Sequence, residues 1–180
     1  MRDNFMKIIA ILKYLRLSLK RPNLDFNSRF KIQKIVFLSK VLGIDLYPIF
    51  SIYVHGPYSH ALAIDYYKNP ELVEHLTTDF ELTDTEKSIL NNLKEKVLDH
   101  YLAEEYEAEL LEAISTIIYF KTDNPSLSND DIFLKVKQLK PFLKEWMIVI
   151  ANNISKQLLF KSEYLTDEIK KEIQLWDKIE

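Results

Sequence analysis

The sequence predicts a mainly α fold: a multi-helix domain with one short two-stranded β element and a helix-turn-helix-like C-terminal half. Apolar residues recur at three- and four-residue spacing along most of the chain, the mark of amphipathic helices. Two glycines and six prolines in 180 residues leave few breaks between them. Only residues 50–55 alternate apolar and polar side chains with the two-residue period of a strand.

The elements follow in order. Over residues 4–20, Phe5, Ile8, Ile9, Leu12, Leu15 and Leu19 mark one helical face, and Arg21-Pro22-Asn23 ends it. Asn27 or Ser28 is placed to cap a second helix that runs to Gly43, a C-terminal glycine stop. This helix is apolar on more than one face, so it belongs at the centre. The alternating stretch 49–55 needs a partner, and residues 78–82 are the expected one. A helix starting at Pro57 runs to about Lys68 before Asn69-Pro70 interrupts it. Thr83-Asp84-Thr85-Glu86 is a capping signal for a helix from 84 to about 101. Helices over 105–121, 129–139 (capped by Ser128), 142–158 and 166–178 complete the chain. The division drawn from sequence is 1–80 and 81–180, with the two halves left open as one compact domain.

Composition narrows the function. With 47% hydrophobic and 28% charged residues the chain has material for a real core, so wholesale disorder is excluded. The absence of cysteine excludes disulfides, iron–sulfur clusters, thiolate zinc sites and a cysteine nucleophile. Lys7, Lys13 and Arg16 interrupt the apolar N-terminus, which reads as neither a membrane span nor a leader; the expectation is a cytoplasmic protein with no membrane partner. Charge is uneven: residues 1–40 hold ten Lys/Arg against two acids, whereas 81–112 hold three Lys against ten acids. The acidic stretch is an internal complement for the basic one, and the net charge of −3 argues against a dedicated nucleic-acid binder.

The stretch FSIYVHGPYSHALAIDYY, residues 50–67, holds one of the two glycines, directly before a proline. Glycine admits backbone angles closed to other residues, and proline suits a first helical turn, so Gly56-Pro57 reads as a strand-to-helix corner with Ser59 offering an oxygen to the open N–H groups. A helix start also attracts anions, and Tyr53, His55, Tyr58 and His60 would surround one there. The stretch lacks the flanking glycines of a nucleophile elbow and the glycine count of a phosphate cradle.

Two segments, FKIQKIVFLSKVLG (30–43) and YVHGPYSHALAIDY (53–66), resemble the Panacea and SocA-like group of phage-associated proteins and, more closely, the YwgA-like proteins of bacteria and archaea. The matching positions are Lys31, Gln33, Lys34, Phe37 and Leu38, then Tyr53, Gly56, Pro57, Tyr58, Ser59 and Leu62. The likeness covers roughly the first 80 residues. It implies an α-rich domain and, for Panacea members, an antitoxin that neutralises a toxin by binding it; it carries over no catalytic residue.

Other candidates are weaker. Four scattered histidines do not make a metal site, and neither a metal nor a cofactor is expected. The run Glu104, Glu105, Glu107, Glu109 and Glu112 reads as a solvated face or a complement to basic helices rather than paired catalytic carboxylates. Gln33 in an apolar helix reads as a buried amide tying that helix to the corner. The expected function is therefore a non-enzymatic interaction module, antitoxin-like or regulatory, that takes a protein partner through Gln33, Lys34, Tyr53, His55, Gly56, Pro57, Tyr58 and Ser59. The alternative is a DNA-binding regulator whose third C-terminal helix offers Lys144, Asn152, Asn153 and Lys156 to phosphates and base edges. Self-association is left open.

Overall fold

The computed structural model describes residues 2–159; the helix expected over 166–178 lies outside them. Among the described residues the chain is mainly helical, with one two-stranded antiparallel sheet. It divides into two compact units, Met1–Glu95 and Lys96–Glu180. The first extends past the division drawn at residue 80 because α5 (Asp84–Leu93) packs on α1 (Arg2–Tyr14) and α2 (Phe26–Val41).

In the first unit α2 is central. Eight consecutive residues from Ile32 to Ser39 are buried, because α1, α5 and the β element cover it from several sides. Asp25, not Asn27 or Ser28, caps it: Asp25 is extended, and its carboxylate accepts from the Ser28 N–H at 2.7 Å. Helix α1 stops well short of residue 20, at Tyr14, and Arg16 takes a φ of +55°. Leu15 and Leu19 are buried all the same, so non-helical chain satisfies the spacing that predicted a longer helix.

The β element corrects the sequence reading. Strand β1 (Ser51–Tyr53) pairs with β2 (Gly56–Tyr58), in the register Ser51↔Tyr58, Ile52↔Pro57, Tyr53↔Gly56, and residues 78–82 form no strand. The apolar/polar alternation located the strand but carried no information on its partner, which lies two residues away. Gly56 at φ +77° lets Val54 and His55 turn the chain without positive φ of their own. Pro57 therefore sits in a strand and does not start a helix; both strands of a two-stranded sheet are edges, where proline is tolerated. Helix α3 (His60–Lys68) starts three residues later, capped by Ser59, whose hydroxyl accepts from the Leu62 N–H at 3.4 Å. The short α4 (Pro70–His75) follows, and Arg21 pairs with Glu74 at 2.7 Å. The expected capping box at Thr83 and Glu86 is present on α5.

Helix α5 ends at Leu93 instead of near 101. A single π-helical turn (Lys94–Leu98) follows and buries Val97. In the second unit α6 (Ala103–Asp123) bends at Tyr106 and packs against α7 (Asn129–Leu139) and α8 (Glu145–Leu159). Ser128 and Asp131 form a reciprocal cap on α7. Helix α8 starts at Glu145 because Pro141–Leu143 form a turn that buries Leu143. Glu112 departs from the solvated acidic face: it is buried, and Lys140 Nζ lies 2.5 Å from its Oε1. No helix among the described residues is long and apolar enough to cross a membrane.

Candidate functional site

Helix α2, the hairpin and α3 enclose a cavity of about 280 Å³ in the first unit. Its geometry starts from the spacing on α2. Phe26, Phe30 and Gln33 lie four and three residues apart, which stacks them on one helical face, with Arg29 and Lys34 beside them.

Gln33 is buried and grips the hairpin exit with both ends of its amide. Its Nε2 donates to the Ser59 carbonyl at 3.0 Å, and its Oε1 accepts from the Ser59 N–H at 2.8 Å. Lys34, also buried, donates to the carbonyls of His55 and Pro57, the latter at 3.1 Å. Its ammonium lies 5.0 Å from the centre of the Phe30 ring. Two buried polar side chains of α2 are thus consumed in holding the turn, and each has the partners that burial requires.

Aromatic rings build the walls. The His55 ring meets Phe26 edge-on at 5.3 Å, and Tyr53 meets Tyr58 edge-on at 5.4 Å. Tyr66 closes the inner side at 1% exposure; burial is the chief reason its phenol is pushed well above the ordinary tyrosine range, so it stays protonated. Tyr67 packs on Tyr66 and is half exposed. The rim is apolar and open: Val54, Tyr53 and Phe26 are 77%, 57% and 49% exposed. Among the described residues no Asp or Glu lines the cavity, whereas Arg29, Lys34 and His55 do. The Arg29 guanidinium lies over Phe26 at 5.6 Å and donates to the Pro22 carbonyl at 2.6 Å.

Of the residues singled out from sequence, Gln33, Lys34, Tyr53, His55, Gly56 and Tyr58 line this cavity, while Pro57 and Ser59 hold the backbone behind it. His60 is exposed on α3. Sequence reasoning missed Phe26, Arg29, Phe30, Tyr66 and Tyr67. The face shared by Phe26, Phe30 and Gln33 was a usable signal; the two tyrosines at the end of α3 gave none, since spacing does not say what a helix packs against.

The second set does not form one surface. Lys144 precedes α8 and sits 5.9 Å from the Trp146 ring, while Asn152, Asn153 and Lys156 line a separate cavity with α6 and α7. Asn153 is buried, as are Met147, Ile148, Ala151, Ile154, Ser155 and Leu158 of the same helix. Among the described residues no group of three or more His, Asp or Glu side chains is arranged to hold a metal ion. Comparison with family models, curated proteins and solved structures returns no match for this chain.

Proposed function

We propose that this protein is a non-enzymatic interaction module whose first unit takes a partner polypeptide, antitoxin-like or regulatory in role, at the aromatic cavity. The observation that carries the reading is a preformed, aromatic-walled cavity whose rim leaves Phe26, Tyr53 and Val54 open to solvent. Concave apolar sites with a few fixed polar groups are the usual form of a binding pocket, and aromatic anchors dominate the energetics of protein interfaces. The occupant that fits is an aromatic or large aliphatic side chain flanked by Asp or Glu. The rings accept the anchor, and the Arg29 charge, with no carboxylate among the described lining residues, matches acidic neighbours. The resemblance to Panacea proteins, carried by several of the same residues, supports the same class of function.

DNA reading by α8 has less to stand on, because that helix spends its apolar face and Asn153 on burial. Capture from nuclease-treated extract of the source cells, with wild-type chain and Val54→Asp in parallel, tests the proposal. A stoichiometric protein held by the wild type and lost by the variant supports it. Equal retention by both, or recovery of nucleic acid alone when nuclease is omitted, overturns it.

A further inference from the structure

The second unit contains a cavity of about 350 Å³ between α6, α7 and α8, at the lower end of the roughly 300–1,000 Å³ range of small-molecule sites. Ile117, Ile132, Phe133, Ile148 and Val149 give it apolar walls. Its polar lining comes mostly from α8. Asn153 is 5% exposed, and its Nδ2 has no hydrogen-bond partner among the described residues. A buried donor without an acceptor is costly, so it marks a place where an acceptor belongs. Asn152 is fixed through its oxygen, which accepts from Lys121 Nζ at 2.8 Å, leaving its N–H₂ as a donor. Lys156 follows Asn152 by one turn and Asn153 by three residues, so all three share a side of the helix.

We infer that this cavity binds a small apolar monocarboxylic acid, with the carboxylate received by Asn153, Asn152 and Lys156 and the hydrocarbon body against the isoleucine and phenylalanine wall. The charge inventory selects the class. Among the described lining residues Lys156 and Asp130 are the charged ones, and Lys121 adds a second positive charge from behind Asn152, so the surplus of one matches one negative charge better than a phosphate dianion. The apolar walls exclude a purely polar anion as the best ligand. Burial, with the nearby Lys156 charge, lowers Lys121 to about 8.

Titration of the full chain with hexanoate, hexanol and hexylamine, followed by the side-chain amide signals of Asn152 and Asn153 in NMR, tests the assignment. Hexanoate is expected to saturate with shifts at both amides and to bind at least fivefold more tightly than hexanol, with hexylamine weaker still. Lys156→Gln, at a half-exposed position, should weaken hexanoate at least fivefold and leave hexanol unchanged. Equal affinity for hexanoate and hexanol, no saturable shift at either amide, or hexanoate binding indifferent to Lys156→Gln overturns the inference.

Discussion

Gln33 and Lys34 show how two side chains can decide the geometry of a site without belonging to its chemistry. The Gln33 amide satisfies both backbone groups of Ser59, and Lys34 satisfies two carbonyls of the turn. Gln33→Ala is expected to destabilise the protein by about 1–3 kcal/mol, since it leaves a buried N–H and a buried carbonyl unpaired. Urea unfolding checks the size, and a loss of the cavity's partner binding should accompany it. This role was legible in advance, because an amide inside an apolar helix needs a partner. The corner was the expected partner, and both bonds fall on Ser59 at its exit; nothing local in FKIQKIVFLSKV singles out that one residue.

Lys121 yields a pH prediction at the same scale. Its pKa is about 8 in the folded chain and 10.5 when free, so the folded state gives up this proton first. The unfolded chain then binds more protons between those values, and the contribution of Lys121 to stability rises as pH goes from 8 to 10.5. Lys121→Met removes this slope. The wild-type denaturation midpoint should rise relative to the variant's between pH 8 and 10, and parallel curves would contradict the account. Tyr47 and Tyr66, both pushed far above ordinary tyrosine values chiefly by burial, act in the opposite sense as pH nears 10, but equally in both proteins.

Among the elements, the reciprocal caps held, whereas the Asn27/Ser28 cap, the Pro57 helix start and the Arg21-Pro22-Asn23 stop did not. Thr83/Glu86 and Ser128/Asp131 form reciprocal caps at the starts of α5 and α7. Thr83→Ala and Ser128→Ala should each lower stability by about 1 kcal/mol, measurable as a shift in the urea midpoint. The ends of α1 and α5 were placed too late, because burial is indifferent to whether a helix, a π turn or extended chain delivers the side chain. Leu19 and Val97 are both buried outside α-helices. The hairpin failed for a related reason. Gly56-Pro57 was identified as a corner, but a glycine at positive φ closes a tight turn as readily as it ends a strand, and sequence does not choose between them.

At the scale of the molecule, the mainly helical class with one small sheet was legible from periodicity and from the scarcity of glycine. Charge asymmetry was legible too, and part of it resolves within each unit. Lys7 pairs with Glu86 at 2.6 Å in the first, and Lys140 with Glu112 in the second. The site was legible only in part. The residues near Gly56 were found because they cluster in sequence, while the α2 and α3 aromatics that complete the cavity are separated from them along the chain.

The central claim is that the cavity behind the hairpin receives an aromatic or aliphatic anchor with acidic neighbours. Selection of a random peptide library on the full-length chain, with affinities of the selected peptides then compared between wild type and Val54→Asp, tests it most directly. Val54 is solvent-exposed in a two-residue turn, where aspartate is well tolerated, so the variant keeps the fold while placing a negative charge at the rim. The account predicts a consensus with an apolar anchor beside Asp or Glu, bound at least tenfold more weakly by the variant. Peptides without such a consensus, or binding equal in the two proteins, would contradict it.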